Sequence, residues 1–178
     1  MNEFDALEQM LDLPMRIADQ NKSRIILGNG NLEDPEPWLP HFLEQIRLTP
    51  TTDYIGFGNE EGKFVAVQRD SKKPGTYIFH NGYAHGKDAP QNRYDYRINS
   101  EDKIGDFYKT EKGYDPRTRE WYKQAVEAGK PTWSPIYWSY TYKIPATTLG
   151  VPLQDETGDT QGVLAVKVSC VGMSDFLK

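Results

Sequence analysis

A β-hairpin is predicted near the end of the chain by Ala146-Thr-Thr-Leu-Gly-Val151, Asp155-Glu-Thr-Gly158 and Gly162-Val-Leu-Ala-Val-Lys-Val-Ser169. The first and last stretches are rich in β-branched and apolar residues, which favour a pleated, half-buried strand. The middle stretch has the composition of a tight turn. Since a short turn joins antiparallel neighbours, this part of the chain predicts an antiparallel sheet.

Four further strands are predicted upstream of this hairpin, at residues 54–57, 64–67, 76–79 and 93–98. The first two are joined by Asn59-Glu-Glu-Gly62, a loop with a glycine where a positive φ is needed. We interpret Pro131-Thr-Trp-Ser-Pro-Ile-Tyr137 as a rigid segment that leads into the sheet. With the helices described next, these strands predict an α+β fold with an antiparallel sheet.

Apolar residues at helical spacing predict three helices, over residues 3–27, 36–47 and 116–128. Pro14 is expected to kink or locally unwind the first helix, and Gly28-Asn-Gly30 to end it. We expect the long N-terminal helix to cover one face of the sheet. The third helix and the loops are expected on the other face, with a pocket between.

Composition and charge limit what the chain could bind and how it could be stabilised. The chain has 178 residues and a net charge of −5, and its basic residues are scattered, which argues against nucleic acid. A local cationic pocket can still bind an anion.

The single cysteine, Cys170, excludes an intrachain disulfide and is interpreted as a small buried hydrophobe. No apolar run of about 20 residues and no signal peptide is present, so the sequence is expected to be a soluble, excised fragment.

The sequence contains no pattern typical of an enzyme, a metal site or a cofactor site. It lacks a nucleophile elbow, a P-loop and a dinucleotide fingerprint. Its histidines, His41, His80 and His85, are dispersed. We interpret His80, His85 and Asp88 as parts of one solvated loop rather than as metal ligands. We therefore expect no catalysis, no metal and no cofactor.

Four stretches share their pattern with one known family. They are Tyr54-Ile-Gly-Phe-Gly-Asn-Glu-Glu-Gly62, Tyr114-Asp-Pro-Arg-Thr-Arg-Glu-Trp-Tyr-Lys-Gln-Ala125, Trp133-Ser-Pro-Ile-Tyr137, and Gly162–Ser169 followed by Met173-Ser-Asp-Phe-Leu177. The chain resembles the Cache domains, extracytoplasmic PAS-like sensors of chemoreceptors, histidine kinases and nucleotide or diguanylate cyclases. The resemblance is to the helix and membrane-distal module of the double-Cache arrangement.

This resemblance implies a domain organisation and a location. It implies a PAS-like antiparallel sheet with flanking helices and a long N-terminal helix. Residues 1–48 would be the N-terminal helical segment, and residues 49–178 the ligand-binding domain. The parent protein would be a bacterial receptor in the cell membrane, with this domain in the periplasm or outside the cell.

The resemblance also implies a ligand site. Arg119 and Trp121 would hold a ligand carboxylate, with Tyr122 beside them. A guanidinium offers a planar fork to a carboxylate, and the indole offers an N–H and an apolar wall. Tyr137 would contact a ligand amine, and Ser139 lies where relatives often have an acid. Tyr140 and Tyr142 would add aromatic walls.

The residues around this site also have a purely structural interpretation. Asp115, before a proline at a helix start, is expected to cap the helix, and Arg117 is expected to be structural. In the structural alternative for the site itself, Arg119 pairs with Asp115 or Glu120, and Trp121 is part of the core.

Lys167 is where the sequence departs from amino-acid-binding relatives, which have an aspartate at this position. A lysine would repel a ligand ammonium and attract a second carboxylate, and Ser139 also lacks a charge. We therefore hypothesise an organic acid held between Arg119 and Lys167. One alternative is an amino acid. Another is a narrow pocket from which Lys167 extends to solvent.

A third alternative is a domain without a small ligand. It would dimerise through the apolar stripe of the N-terminal helix, or bind a partner protein there.

Overall fold

The computed structural model describes residues 2–26, 37–83, 92–139 and 143–169. The helices are α1 (Glu3–Ile26), α2 (Trp38–Leu48) and α3 (Glu120–Ala128), with a short 3-10 helix at Pro116–Thr118. The strands are β1 (Thr52–Asn59), β2 (Phe64–Arg69), β3 (Tyr77–Tyr83), β4 (Asn92–Ile98), β5 (Ile104–Lys112), β6 (Thr132–Trp133), β7 (Tyr137–Trp138), β8 (Pro145–Gln154) and β9 (Thr160–Ser169).

Across the described residues, the strands form one antiparallel sheet in the order β5-β4-β3-β2-β1-β9-β8-β6, and β7 also pairs with β8. The predicted α+β class with an antiparallel sheet is confirmed. The predicted hairpin of β8 and β9 is present, and β9 pairs on its other side with β1. The first and last strands of the sheet region thus lie side by side, which brings distant parts of the sequence together.

The two faces of the sheet have different chemistry. One face packs against α1 and α2 in an apolar core that includes Phe42, Ile55 and Val166. The other face packs against α3 in a smaller, more aromatic cluster that includes Tyr114 and Trp121. The predicted placement of the N-terminal helix and the third helix on opposite faces is confirmed. This second face is the one that carries buried charges.

Helix α1 is continuous through Pro14, so the predicted local unwinding is wrong. Pro14 is buried, and packing against the sheet stabilises the turn that lacks one hydrogen bond. Part of the predicted apolar stripe is not in the core, since Phe4 is 69% and Leu11 is 52% exposed. The predicted end of the helix at residues 28–30 lies outside the described residues. No helix in the described ranges combines the length and apolarity that a membrane span requires.

Four strands differ from the prediction, including the two-residue strands β6 and β7, which lie in and next to the segment interpreted as rigid. Strand β5 was not predicted, because it lies at the edge of the sheet and its residues are half-buried or exposed without alternation. Strand β3 extends to Tyr83, so His80 lies in a central strand and is 0% exposed. The interpretation of His80 as part of a solvated loop is therefore wrong. His85 and Asp88 lie outside the described residues.

The predicted helix over residues 116–128 is divided in two. Asp115 caps the 3-10 helix, as predicted for a helix start, by accepting a hydrogen bond from the Arg117 amide at 2.9 Å. Arg119 then has an extended backbone, with ψ of 145°, before α3 begins at Glu120. This break turns the Arg119 side chain away from the regular positions of a helix. Gly129 ends α3 in the left-handed conformation.

Gly150 on β8 lets α3 lie directly on the sheet. A Cβ atom at this position would lie 2.4 Å from the carbonyl oxygen of Trp121 and 3.0 Å from the Cβ of Ala125. The first of these contacts is with backbone, which cannot move without moving the helix. Gly150 therefore sets how closely the helix start, with Arg119 and Trp121, approaches the sheet.

Replacement of Gly150 by alanine is expected to lower the free energy of unfolding by about 3 kcal/mol, because the helix must move off the sheet. Urea unfolding measures this change. Gly75→Ala is the control, since its φ of +79° is strained for alanine but no atom lies within 4 Å. That control should cost about 1 kcal/mol. A loss at Gly150 no greater than the loss at Gly75 would contradict the close approach.

Candidate ligand-binding site

The register of three strands places Lys167, Tyr54 and Gln68 side by side. Tyr54 on β1 is directly opposite Lys167 on β9 and opposite Gln68 on β2. Directly opposite residues point to the same face, so the three side chains form a row across the sheet. The Lys167 ammonium lies 5.1 Å from the centroid of the Tyr54 ring, within range of a cation–π contact.

A small cavity lies between this row and the start of α3. It is lined by Tyr54, Gln68, Arg93, Tyr114, Arg119, Trp121, Tyr137 and Lys167. Its volume, counted for the centres of water-sized molecules, is about 30 Å³. One water requires roughly 10–15 Å³ by this measure, so the cavity has room for about two waters. A larger ligand would have to separate the helix start from the sheet.

A larger groove of about 510 Å³ lies between α1 and α2. It is lined by partly exposed helix residues such as Arg16, Gln20 and Glu44. The smaller cavity is the better candidate because charged and aromatic side chains converge on it from several strands and from the start of α3.

Four of the six predicted site residues line this one cavity: Arg119, Trp121, Tyr137 and Lys167. The other two, Tyr122 and Ser139, do not line it. Tyr122 is buried in the cluster beneath α3, and burial raises its pKa to about 12. The backbone of Ser139 pairs with Ile144 and Lys143, and its hydroxyl accepts a hydrogen bond from the Ile144 amide. Tyr140 and Tyr142 lie outside the described residues.

The two acids named in the structural alternative for Arg119 each have another cationic partner. Asp115 is held by Arg117, with 2.9 Å between the guanidinium and the carboxylate. The neighbouring Glu120 lies 3.1 Å from Lys123 on the exposed side of α3. The predicted structural roles of Asp115 and Arg117 are confirmed, and Arg119 belongs to the cavity wall.

Lys167 is buried at 6% exposure and does not extend to solvent. Its ammonium lies 3.3 Å from a carboxylate oxygen of Asp53. The pairing of β1 with β9 shifts register between Thr52 and Tyr54, so Asp53 is the extra residue of a β-bulge. A bulge breaks the alternation of a strand, and here Asp53 and Tyr54 both reach Lys167. A carboxylate from another strand therefore lies beside position 167.

A chain of buried polar groups continues the cavity wall, and its members were not among the predicted site residues. Arg93 donates two hydrogen bonds of 2.8 Å to the two carboxylate oxygens of Asp95. Asp95 also accepts from the Nδ1 of His80 at 2.6 Å, and the Nε2 of His80 lies 2.8 Å from Gln68. A sequence signal existed, since Arg93 and Asp95 alternate with tyrosines along β4 and so share one face.

These contacts shift the protonation of the buried groups. Burial, together with the positive charge of Arg93, lowers the pKa of His80 to about 4, so the imidazole is neutral at pH 7. Burial alone would raise the pKa of Asp95, but the hydrogen bonds from His80 and Arg93 and the positive charge of Arg93 lower it to about 2. Burial lowers the pKa of Lys167, and Asp53 partly offsets this effect. Arg93 and Arg119 lower it further, which places three cationic side chains within electrostatic range of one another.

No group of three or more potential metal ligands occurs among residues 2–26, 37–83, 92–139 and 143–169.

Comparison with known proteins gives a family and a set of similar structures. Residues 62–175 match the model of the methyl-accepting chemotaxis protein-like, first PDC sensor domain. No curated protein sequence matches the chain significantly.

Several solved chemoreceptor domains have a similar fold. The ligand-binding domain of CtaA from Pseudomonas fluorescens, in complex with L-valine, has a TM-score of 0.58 and 15% identity, over 96% of this chain and 58% of that one. PctC from Pseudomonas aeruginosa, in complex with GABA, has 0.53 and 17%, over 96% and 62%. Tlp3 from Campylobacter jejuni, in complex with 4-methylisoleucine, has 0.51 and 14%, over 97% and 59%. The chain thus spans about three fifths of each.

The neutral state of His80 predicts a loss of stability in mild acid. The folded pKa of about 4 lies below the ordinary value of 6.5, so between these pH values only the unfolded chain binds the proton. The free energy of unfolding should therefore fall by about 3 kcal/mol as pH drops from 6.5 to 4. Urea unfolding at several pH values measures it. His41→Gln, which removes a histidine outside this cluster, should retain most of the fall; a flat profile would contradict the prediction.

Asp53 is expected to stabilise the protein mainly by neutralising Lys167. Asp53→Asn leaves a buried ammonium without its carboxylate and should cost about 3 kcal/mol of unfolding free energy. The double variant Asp53→Asn/Lys167→Met removes both charges and should recover more than half of that loss. Additive losses in the double variant would show that the two side chains do not interact.

Proposed function

The chain belongs to the family of the methyl-accepting chemotaxis protein-like, first PDC sensor domain, and from this membership we propose that it senses a small carboxylate-bearing ligand. This is a Cache-type sensor domain, as the resemblance in the sequence implied. The proposed site is the cavity lined by Arg119, Trp121, Tyr137 and Lys167. We propose that the domain is the extracytoplasmic part of a membrane receptor and catalyses no reaction.

The convergence of three cationic side chains on one buried cavity is the observation that carries the proposal. Arg93, Arg119 and Lys167 all line it. Arg93 and Lys167 each also have a buried carboxylate partner, so the repulsion among the three cations is partly compensated. An anion between them would relieve the repulsion that remains in a space of low dielectric. Arginine can also bind a carboxylate through two parallel hydrogen bonds. The aromatic rings of Trp121 and Tyr137 would enclose the apolar part of the ligand.

The second functional group of the ligand is where two candidates differ. An organic acid is the first, since Lys167, held by Asp53, lines the same cavity as Arg119. An amino acid is the second candidate. Asp53 does not line the cavity as it stands, but its carboxylate beside Lys167 would attract a ligand ammonium once the cavity opens. The structurally similar chemoreceptor domains have valine, GABA and 4-methylisoleucine bound, which also supports the second candidate.

Binding would signal through a change in the distance between α3 and the sheet. A cavity of about 30 Å³ is too small for such a ligand, so the binding-competent state must be more open. A ligand shifts that equilibrium only by its difference in affinity for the two states. Strand β9 carries Lys167, and the chain beyond it would connect the site to the rest of the receptor. The division into residues 1–48 and 49–178, and pairing of two copies through α1, are parts of this proposal.

Calorimetric titration against carboxylates of three to six carbons is expected to identify a ligand of micromolar affinity. Each acid is tested in three forms: unsubstituted, 2-hydroxy and 2-amino. Preference for the first two forms supports an organic acid, and preference for the third an amino acid. Binding no tighter than millimolar by every acid would overturn the proposed function.

Arg119→Gln should weaken binding of the best acid by about a hundredfold, because it removes the guanidinium that pairs with the carboxylate. Lys123→Gln is the matched control, since it removes a cation from the exposed side of α3, just after Arg119, and should leave the affinity unchanged. Equal affinities of the wild-type chain and the Arg119→Gln variant for the acid would exclude Arg119 from the site.

A further inference from the structure

His80 lies between two groups that both present oxygen atoms to it. Its Nδ1 is 2.6 Å from a carboxylate oxygen of Asp95, and its Nε2 is 2.8 Å from the amide oxygen of Gln68. All three residues are at most 1% exposed. An ionised carboxylate only accepts hydrogen bonds, so Nδ1 must carry a proton. The state of Nε2 then depends on which end of the Gln68 amide faces it.

Two arrangements satisfy this contact. In the first, His80 is a cation, and its Nε2 donates to the Gln68 oxygen. The Gln68 Nε2, which has no hydrogen-bond partner among the described residues, then remains for the cavity. In the second, His80 is neutral, and the amide is turned by half a rotation. Gln68 then donates from its nitrogen to His80 and presents its oxygen to the cavity that it lines.

The surroundings of His80 favour the neutral form. The groups that face it are Arg93 and Asp95 on β4, Lys167 on β9, the ring of Tyr54 on β1, and Gln68 on β2. The carboxylate of Asp95 is already held through both oxygens by Arg93, so it compensates a second cation poorly. A charged imidazole would therefore be a further cation beside Arg93 and Lys167 in a fully buried position. The lowered pKa of His80 agrees with this geometry.

We propose that neutral His80 is a positioning residue that turns the amide oxygen of Gln68 into the cavity, so that the site selects carboxylates bearing an O–H or N–H donor. This inference rests on the proposed function. The carboxylate binds the cationic part of the wall, and the donor on the same ligand binds the Gln68 oxygen. An unsubstituted acid leaves that buried oxygen without a partner, which costs binding free energy. The orientation of the Gln68 amide thus restricts the ligands to hydroxy acids, amino acids or acids with an amide N–H.

The selectivity is tested with the same acids in their unsubstituted and 2-hydroxy or 2-amino forms. The 2-hydroxy or 2-amino form should bind the wild-type chain about tenfold more tightly than the unsubstituted acid does. In Gln68→Met, which keeps the side-chain length but removes the amide, the two forms should differ less than about threefold. Gln45→Met is the matched control, because Gln45 is also buried but lies on α2 against the other face, and it should retain the full preference. The proposal would be overturned if the wild-type chain showed no preference for the substituted acids, or if Gln68→Met kept the same preference.

The proton positions are tested without any ligand, by ¹⁵N NMR of the imidazole groups. At pH 7, His80 should show a protonated Nδ1 and an unprotonated Nε2, and His80→Gln identifies the signals by their loss. Two protonated nitrogens at pH 7 would overturn the positioning role even if acids bind. Absence of binding by every acid would instead overturn the proposed function and the selectivity with it, so the two failures are distinguishable.

Discussion

The close approach of α3 to the sheet is the constraint on which the rest of the site depends. A row of small residues crosses four neighbouring strands on this face, with α3 over its β8 end: Gly150, Ala165, Gly56 and Ala66. The absence of larger side chains lets backbone meet backbone, and a Cβ at Gly150 would already collide with the Trp121 carbonyl. Gly56 likewise leaves space for the hydroxyl of Tyr54, which lies 2.9 Å from the place a Cβ would occupy. The helix start is therefore held directly above the polar row of the sheet.

The same strands support two different environments. Their alternation sends apolar side chains toward α1 and α2, while His80, Arg93 and Asp95 face the opposite way. Buried charges are costly unless they are paired and hydrogen-bonded, and each of these groups has such a partner. A neutral imidazole joins the ion pair of Arg93 and Asp95 to the amide of Gln68. The polar groups thus form a connected network that ends at the cavity.

Much of the fold could be predicted from the sequence, because most elements have their own local pattern. The helices and the strands other than β5–β7 follow from apolar spacing and from turns rich in glycine. Strand β5 could not be predicted, since an edge strand buries neither face well and so has no alternation. The continuity of α1 at Pro14 depends on its packing against the sheet, which no local rule contains. The small residues beneath α3 become meaningful only when the strand order is known.

The candidate site was accessible to prediction in part. The resemblance identified Arg119, Trp121, Tyr137 and Lys167, and these side chains line one cavity. Tyr122 and Ser139 were near in sequence, but Tyr122 packs in the cluster beneath α3, and Ser139 pairs with Lys143 and Ile144. Tyr54 and Gln68 were missed because only the register of β1 and β2 brings them together. Arg93 on β4 and Tyr114 in the loop before the 3-10 helix were missed because only the tertiary structure brings them to the same cavity.

The environment of Lys167 depends partly on local sequence and partly on tertiary structure. The sequence by itself determined the antiparallel α+β fold and the face of β9 on which Lys167 lies, because alternation is a local property of a strand. Only the tertiary structure decided what Lys167 meets there. A one-residue bulge in β1 reverses the alternation at Asp53 and brings its carboxylate to the lysine. Bulges arise from the pairing of two strands, so neither strand encodes one alone.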